Sequence, residues 1–296
     1  PAPAALLLET ATALAAVSAT KMATTRALVG ADGFIDEIVR VVDTRTDVNT
    51  WTPVRTIADY AKRLAAAAGK STNVELVLEQ TKMGGNGPLM CDALGALGTG
   101  ITYVGAVGNG SLHPVFEPLR RHGHVHPIAD PAITIAAEFE DGKIMHGKLE
   151  SLNEVTPANL VARLGGEEAL DALLRNVELL AMVNWTMIPH LTDVWAVLAG
   201  RMAMLPVGVG PRLCFFDLCD PEKRTHADRR RAMQTIASFK ATGVTPILGL
   251  NEKESAEICA AMDVEYGTED LAGMRARIRR LIEATGIPEI VVHPRT

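Results

Sequence analysis

A glycine-rich turn, Gly84-Gly85-Asn86-Gly87, followed by Pro88, is the stretch of the sequence whose residue types best suit chemistry. Proline is favoured in the first turn of a helix, so this spacing predicts that a helix begins here. The unpaired backbone N–H groups of a helix start can donate hydrogen bonds to hydroxyl groups or to anions. The same glycines could equally serve a tight turn that needs a positive φ. Both interpretations stay open on these residues alone.

Two polar residues three positions apart, Asn251 and Glu254, follow the apolar run Thr245–Leu250. On one face of a helix start, both could reach one hydrated Mg²⁺ ion or a phosphate group. Asn at the N-cap with Glu three positions later is also an ordinary helix-start pattern. Asp217 ends another apolar run, Leu213–Asp217, and open α/β sheets bind ligands at the carboxyl ends of their strands. These residues are therefore candidate phosphate ligands, with a purely structural role as the alternative.

Two further patterns could carry chemistry but have weaker support. His122, His124 and His126 would share one face of a strand and could ligate zinc, yet nothing else supports a metal there and Pro127 follows directly. The segment Gly105–Gly110 contains three glycines, but their spacing differs from the dinucleotide-binding fingerprint. We therefore expect neither a zinc site nor a nicotinamide cofactor.

The elements that must position these residues follow an α/β pattern. Short β-branched runs alternate with longer amphipathic stretches, which is typical of a parallel sheet covered by helices. The predicted strands are Ala27–Val29, Ile101–Val107, Leu213–Asp217, Thr245–Leu250 and Glu289–His293. The predicted helices are Leu89–Leu97, Glu167–Asn176, Thr192–Leu198, Arg229–Lys240, Glu252–Met262 and Leu271–Ala284. The last helix carries Arg275, Arg277, Arg279 and Arg280, a basic run that we interpret as a solvated face.

One segment breaks this alternation and predicts a hairpin. Ala132–Phe139 and Ile144–Leu149 are strand-like runs joined by residues 140–143, in which Asp-Gly is a strong short hairpin signal. A hairpin inside an α/β chain adds an edge or a flap to the main sheet. Because no internal repeat or long linker occurs, we predict a single doubly wound α/β domain over residues 29–296, with a small β appendage near 132–149.

Composition limits the class of protein. The 296 residues are 48% hydrophobic, 22% charged and 4% aromatic, a globular balance that excludes disordered, collagen-like and disulfide-scaffold chains. The net charge of −6 argues against nucleic acid and acidic membranes as partners. The four cysteines form no C-x-x-C pair, so we expect reduced thiols and a cytoplasmic protein. No run reaches the roughly 18 apolar residues of a membrane span.

Residues 1–28 form a candidate N-terminal helical extension. They are rich in Ala, Leu and Thr, but Glu9 interrupts the apolar stretch and Lys21 and Arg26 follow it. A secretory signal carries its positive charge before the apolar core instead. We predict a short helix that packs on the body of the protein or on a partner.

Four segments of the chain carry a family resemblance. They are Val29–Asp36, Gly84–Gly108, Phe215–Arg224 and Leu248–Glu254. In this order they resemble four motifs of the PfkB (ribokinase-like) carbohydrate kinases. The first two resemble that family's first strand with its substrate-binding Asp, and its first signature. The last two resemble its central strand, which ends in an Asp with a downstream Arg, and its Asn-x-x-Glu motif. The resemblance covers roughly residues 27–296.

The resemblance implies a ribokinase-like fold, in which helices flank a doubly wound, mostly parallel sheet and a small β lid is added. The predicted hairpin is the candidate for this lid. It also implies transfer of the γ-phosphoryl group of ATP, with Mg²⁺, to a hydroxymethyl group of a small sugar or polyol. Such transfer depends mainly on aligning the reacting oxygens and neutralising negative charge. Lids of this family often pair between subunits, so a homodimer through the lid is one expectation.

Candidate roles follow from the resemblance residue by residue. Asp36 would bind substrate hydroxyl groups, because a carboxylate accepts two hydrogen bonds from a polyol. Asp32 is the less favoured neighbour, since it could simply form an Asx turn. Gly84, Gly85 and Asn86 would add backbone and amide contacts to the substrate.

The remaining candidates lie on the hairpin and at the later strands. Glu138 would contact the substrate from the hairpin, although it could also face solvent. Asn251, Asp217 and Arg224 would bind the nucleotide or its phosphates. Glu254, together with Asn251, would hold Mg²⁺, directly or through water.

Two positions leave questions open. Arg224 could pair with Asp220 or Glu222 instead of a phosphate, and we interpret the Asp-Pro-Glu stretch itself as structural. Many relatives carry an Asn four positions after the second Gly, where this chain has Leu89. The sequence therefore does not name the acceptor.

The family's proton-accepting Asp lies in a Gly-Ala-Gly-Asp stretch, which this sequence does not contain. In relatives it lies several tens of residues beyond a strand like Ile290–His293, so we expect it beyond Thr296, and we expect the chain to lack its C-terminal part. The alternatives are a non-catalytic metabolite-binding relative and a nucleoside kinase. The low aromatic content favours a sugar over a nucleoside, although Phe34, Trp51 or Trp185 could still line a pocket.

Overall fold

The computed structural model describes residues 3–15, 19–206 and 208–293. Its strands are β1 (Arg26–Gly30), β2 (Phe34–Arg45), β3 (Trp51–Pro53), β4 (Leu76–Gly84), β5 (Gly100–Gly105), β6 (Gly108–Asn109), β7 (Gly123–Ala129), β8 (Ala132–Phe139), β9 (Gly142–Lys148), β10 (Leu179–Met182), β11 (Leu213–Asp217), β12 (Thr245–Asn251) and β13 (Glu289–His293). Its α-helices are α1 (Pro3–Ala15), α2 (Ala19–Thr24), α3 (Ile57–Ala66), α4 (Asn86–Ala96), α5 (Pro157–Leu164), α6 (Glu167–Arg175), α7 (Leu191–Ala203), α8 (His226–Ser238), α9 (Glu252–Ala261) and α10 (Leu271–Thr285).

The main sheet places β1 near its centre, in the order β13-β12-β11-β10-β1-β5-β7-β6. β1 pairs in parallel with β10 on one side and with β5 on the other, although β10 lies far from it in sequence. β6 runs antiparallel to β7. The loops that follow β1 and its neighbours therefore diverge, which opens a crevice at the carboxyl ends of the strands.

The predicted doubly wound α/β pattern is confirmed. The predicted strands correspond to β1, β5, β11, β12 and β13, and the predicted helices to α4 and α6–α10, with ends moved by a few residues. Ala27, Leu28 and Val29 are each at most 1% exposed, because both faces of β1 are covered. β10 was not predicted, since the short apolar run 179–183 cannot be assigned to a strand or a helix by periodicity.

A second, smaller sheet begins where β1 ends, and we call it the small sheet. Its strand order is β3-β2-β8-β9, and β4 also pairs with β2. The predicted hairpin is confirmed, because β8 and β9 pair antiparallel with Phe139 opposite Gly142. The small sheet exceeds the predicted segment 132–149, because β2 and β4 contribute two further long strands. One of its faces packs on α3, where the rings of Tyr60 and Phe139 lie 5.5 Å apart.

The basic run of α10 is only partly the solvated face that we predicted, because Arg275 and Arg279 are exposed but Arg277 is not. Arg277 is fully buried, and its guanidinium donates to the carbonyl oxygens of Tyr266 at 3.1 Å and Thr268 at 3.2 Å and to Ser255 Oγ at 2.9 Å. It also lies 3.4 Å from the centroid of the Tyr266 ring. Arg275, two positions earlier, is exposed. The two arginines differ because only one of them faces the loop before α10.

The N-terminal segment is helical over Pro3–Ala15 and Ala19–Thr24, whereas residues 26–28 already belong to β1. Leu7 and Leu8 of α1 are each 71% exposed, so this helix does not rest on the body of the protein. Packing of α1 on a partner stays a prediction. Residues 1–2 and 16–18 of the predicted extension, and residues 294–296 of the predicted domain, lie outside the described residues. Within the described ranges, no helix is long and apolar enough to cross a membrane.

The three histidines do not share one strand. His122 precedes β7, and its Nε2 lies 2.9 Å from Asp92 Oδ1. Over the part of the chain that the structure describes, no group of three His, Cys, Asp or Glu residues could hold a metal ion. The glycines of 105–110 flank the short strand β6, and no helix begins there.

Candidate functional site

Polar residues stand at the carboxyl ends of four neighbouring strands of the main sheet. Asp32 follows β1, Asn184 follows β10, Asp217 ends β11 and Asn251 ends β12. These strands are adjacent in the sheet order, and the carboxyl ends of parallel strands meet at the same edge. The topology therefore assembles one polar edge from residues that are spread over most of the chain.

Asp32 organises the centre of this edge. It is 0% exposed, and its carboxylate accepts the N–H groups of Asn86 and Gly87, both at 2.8 Å, and Nδ2 of Asn184 at 2.6 Å. Burial raises the pKa of Asp32 to about 6, although these hydrogen bonds act in the opposite direction. A buried carboxylate with these partners holds loops together, and it is not accessible to the hydroxyl groups of a ligand.

The helix start predicted at the glycine-rich turn is present, but its N–H groups are already bonded. α4 begins at Asn86, after Gly85, whose φ of 101° suits glycine. The N–H groups of Asn86 and Gly87 meet the Asp32 carboxylate, which is the charge that a helix N-terminus favours. The anion expected at this helix start is therefore a side chain of the protein itself.

A cavity of about 470 Å³ is lined by both the sheet edge and the small sheet. Phe34 and Asp36 reach it from β2 and Thr134 from β8, while Asn86 lines it from the start of α4 and Asn184 from the edge. Carboxylate, hydroxyl and amide groups around one cavity suit a ligand that is rich in hydroxyl groups. Another cavity, of about 330 Å³, lies at the opposite edge of the sheet, and none of the predicted site residues lines it.

The two predicted glycines make room for the two carboxylates. A Cβ atom at Gly84 would overlap the carboxylate of Asp36. A Cβ atom at Gly85 would lie 2.9 Å from Asp32 Oδ2. Gly85 lines the cavity and Gly84 does not. Their structural contribution is therefore to let the small sheet and the start of α4 approach the acidic residues closely.

Asp217 connects β11 to the same network. Its Oδ2 accepts a hydrogen bond from Nδ2 of Asn86 at 2.8 Å. Burial raises the pKa of the Asp217 carboxyl above its ordinary value, the hydrogen bond from Asn86 opposes this change, and the nearby charge of Glu254 adds to it. Asn86 thereby links the edge of the sheet to the start of α4.

Asn251 and Glu254 form the capping box that was the structural alternative for this pair. Asn251 Oδ1 accepts the N–H of Glu254 at 2.9 Å, and Glu254 Oε2 accepts the N–H of Asn251 at 2.8 Å. Glu254 Oε1 also accepts the N–H of Asp220 at 3.1 Å, and the residue is only 5% exposed. Asp220 stands at the N-cap of a short 3₁₀ helix, but its side chain makes no capping hydrogen bond. The pair caps α9 and holds the turn at Asp220, and its role toward Mg²⁺ stays a prediction.

Two predicted residues lie apart from the cavity. Arg224 donates from Nη2 to the carbonyl oxygen of Pro189 at 3.0 Å, and its guanidinium carbon lies 4.6 Å from the centroid of the buried Trp185 ring. Burial lowers the pKa of Arg224 from its ordinary value. The carboxylate of Glu138 lies 3.9 Å from Arg40 Nη2. Neither Arg224 nor Glu138 belongs to the described lining of the cavity, and main-chain oxygens are the hydrogen-bond partners of Arg224.

Sequence reasoning missed Asn184, Thr134 and Lys223, all of which line the cavity. Asn184 is 3% exposed with a φ of 64°, and its Oδ1 has no hydrogen-bond partner among the described residues. A buried acceptor without a partner beside a cavity is a candidate ligand contact. The available signal was the apolar run 179–183, which ends directly before Asn184 as a buried strand would.

Comparison with solved structures establishes the fold. The carbohydrate kinase from Agrobacterium tumefaciens superposes with a TM-score of 0.56 at 16% identity, over 92% of this chain and 70% of that one. The ribokinase from Cryptococcus neoformans in complex with ADP gives a TM-score of 0.53 at 15% identity, over 88% and 67%. The architecture is therefore the ribokinase-like fold of the PfkB-type carbohydrate kinases.

Sequence comparison places the chain more narrowly. The model of the prokaryotic ketohexokinase family matches residues 9–295, and the chain belongs to this family. The ketohexokinase of Haloferax volcanii is 30% identical over 174 residues, which are 57% of this chain. The matched stretch spans 45% of the length of that relative.

Proposed function

We propose that the protein is an ATP-dependent sugar kinase that moves the γ-phosphoryl group of ATP to a hydroxymethyl group of a small carbohydrate. A ketohexose is the first acceptor to test, because the relative from Haloferax volcanii is named a ketohexokinase. The ADP bound to the ribokinase from Cryptococcus neoformans supports an adenine nucleotide as the donor. Membership of the ketohexokinase family supports both parts of the proposal.

The observation that carries the proposal is a cavity shared by the small sheet and the edge of the main sheet, in which a few polar groups stand among apolar side chains. Asp36 and Thr134 offer a carboxylate and a hydroxyl group from the small sheet. The unpaired Oδ1 of Asn184 offers a further acceptor from the edge. Together they suit the alternating hydroxyl groups of a sugar, which both donate and accept hydrogen bonds.

The reaction needs alignment more than covalent help from the protein. The acceptor oxygen forms a bond to the γ-phosphorus, the bond from that phosphorus to the ADP oxygen breaks, and the hydroxyl proton passes to a carboxylate base, a role assigned to none of the described site residues. Asp36 orients the acceptor, and the small sheet shields the cavity from water, which would otherwise compete as an acceptor. Asn251 and Glu254 would hold Mg²⁺ through water and not directly, because Asn251 Oδ1 and both carboxylate oxygens of Glu254 already accept backbone hydrogen bonds. Mg²⁺ would supply neutralisation of the phosphate charge.

The variant Asp36→Asn tests the acceptor contact, because it keeps the size of the side chain and removes its charge. We expect the KM for the sugar to rise about tenfold or more, since a hydrogen bond to a charged group contributes roughly 1.5–3 kcal/mol. The measurement is ADP release with ATP, Mg²⁺ and a panel of ketohexoses, aldoses, polyols and nucleosides. Glu37→Gln is the matched control, because successive residues of a strand face opposite sides.

Turnover that requires both Mg²⁺ and a sugar would support the proposal. Release of ADP with nucleosides alone would make the protein a nucleoside kinase, and release with no member of the panel would refute catalysis. An unchanged KM in Asp36→Asn would remove Asp36 from the acceptor site.

The proposal extends to the oligomeric state of the protein and to its cellular environment. We propose a homodimer through the small sheet, supported by Leu78 on β4 and Met145 on β9, which are 55% and 59% exposed. Exposed apolar side chains on outer strands favour pairing with another sheet.

We also propose a reducing, cytoplasmic setting, supported by the four free cysteines, three of them buried.

A further inference from the structure

Lys223 brings a positive charge to a cavity that already holds two carboxylates. It lines the cavity together with Asp36 and Asp220, and it is the one cationic side chain among the described residues of that lining. A phosphate ester is strongly anionic, and two carboxylates in the same cavity would repel it. A cation in the lining would offset this repulsion when a phosphate ester forms there.

The local backbone explains why Lys223 reaches the cavity and the next residue does not. Cys219 and Asp220 have φ values of 60° and 56°, a left-handed conformation that is unfavourable for residues with a Cβ atom. They turn the chain sharply after β11, and the short 3₁₀ helix Pro221–Lys223 follows. Lys223 then lies on the cavity, whereas Arg224 is directed to main-chain oxygens and a buried ring.

Contacts from α9 hold this turn in place. Glu254 accepts the N–H of Asp220 at 3.1 Å, and Lys253 Nζ lies 2.7 Å from a carboxylate oxygen of Glu222. The start of α9 carries the candidate phosphate ligands of the sheet edge. Lys223 therefore stands between the sugar cavity and the side of the edge where the nucleotide phosphates are expected.

The ion pair that Lys223 makes leaves its ammonium group available. Nζ lies 3.9 Å from Asp220 Oδ2, and the two side chains are 55% and 48% exposed. An exposed ion pair at this distance contributes little to stability. A phosphate oxygen can therefore take the place of the Asp220 carboxylate beside Nζ. A lysine ammonium binds phosphate as a point charge without a fixed geometry, which suits a group that moves during transfer.

We propose that Lys223 binds the phosphoryl group at the acceptor end of the cavity, both during its transfer and while it remains on the product. This inference rests on the sugar kinase function proposed above. The phosphate contact that the family resemblance predicts for Arg224 is thereby assigned to Lys223. Lys223 forms and breaks no bond in the reaction, because it acts by neutralising the charge of the phosphoryl oxygens.

The test compares binding of fructose with binding of fructose 1-phosphate and fructose 6-phosphate, measured by calorimetry on the wild type and on Lys223→Met. We expect the wild type to bind a phosphate ester more tightly than fructose. In Lys223→Met, the Kd for the ester should rise about tenfold and the Kd for fructose should not change. Lys223→Arg should restore most of the loss. Lys240→Met, an exposed lysine outside the lining, is the matched control.

A second measurement separates this inference from the proposed function. In turnover with ATP and Mg²⁺, we expect Lys223→Met to lower kcat about tenfold with little change in the sugar KM. An active wild type with an unchanged kcat and unchanged ester binding in Lys223→Met would overturn the inference and leave the kinase function standing. An inactive wild type that still binds the ester through Lys223 would refute the kinase function and support the anion contact. A raised Kd for fructose itself would make Lys223 a hydroxyl ligand and overturn the inference.

Discussion

Asp32 and Asp36 are four positions apart, yet the structure uses them differently. β2 carries Asp36 to the cavity, whereas Asp32 is enclosed by the backbone of α4 and the amide of Asn184. The resemblance favours Asp36 as the substrate ligand, and this role stays a prediction. It gave Asp32 as the less favoured ligand with a turn as the alternative, and it did not indicate the three donors around Asp32, because they come from two distant parts of the chain.

The buried carboxyl of Asp32 should make stability depend on pH in a particular direction. Its pKa is raised from 3.8 to about 6, so between these values the folded protein holds a proton that the unfolded chain has lost. The stabilising contribution is therefore fully present below about pH 4 and is lost as the pH rises to about 6, by on the order of 3 kcal/mol.

Urea unfolding of the wild type and of Asp32→Asn across this pH range measures the effect, and the difference between the two free energies of unfolding isolates Asp32. A ¹³C NMR titration of the side-chain carboxyl should give a midpoint near pH 6. A difference in unfolding free energy that is constant over the range would contradict the expectation.

At the scale of elements, the small sheet shows how far local patterns reach. The hairpin of β8 and β9 was predictable because its turn residues and both strands are contiguous. β2 and β4 pair in the same sheet across more than thirty intervening residues that include α3, and their polar residues alternate irregularly. β10 was missed because it is short, and Asn184 at its end was missed with it.

Gly84 connects this sheet to the site, and its replacement gives a test at the level of elements. In Gly84→Ala, the new Cβ would displace the carboxylate of Asp36, which is the movable end of a side chain. We expect the sugar KM to rise about tenfold with little change in the thermal unfolding midpoint.

Gly200→Ala in α7 is the matched control, because a Cβ there meets no atom within 4 Å. It should stabilise the protein by about 0.5–1 kcal/mol through its higher helix propensity and leave the KM unchanged. A Gly84→Ala variant with unaltered sugar binding would show that the position of Asp36 does not matter.

For the whole molecule, burial separates residues that look equivalent in the sequence. Arg275 and Arg277 belong to one basic run, but only Arg277 is enclosed, with donors to three oxygens and a ring beneath it. The same separation applies to Lys223 and Arg224, of which only Lys223 lies on the cavity. The charge is alike within each pair, but Arg275 and Arg277 lie on different faces of α10, and Arg224 is the extended residue that follows the 3₁₀ helix of Lys223. Which residue is enclosed depends on the segments that pack on each face.

Arg277→Met should therefore destabilise the protein by about 2–4 kcal/mol, because three acceptors lose a charged donor inside the protein. Arg275→Met should change the free energy of unfolding by less than about 0.5 kcal/mol, as exposed substitutions usually do. Guanidinium unfolding of both variants measures the difference. Equal effects would mean that the contacts of Arg277 do not contribute to stability.

By itself, the sequence determined the alternation of strands and helices, the hairpin and the family resemblance, because these depend on contiguous patterns or on motifs in a fixed order. Only the tertiary structure decided that Asp32 accepts the N–H groups at the start of α4 and that Asn184 donates to Asp32. It also decided that Lys223, and not Arg224, lines the cavity. These contacts join strands that are neighbours in the sheet and distant in the chain. No local pattern encodes such contacts, because parallel pairing and burial arise only when the whole sheet has formed.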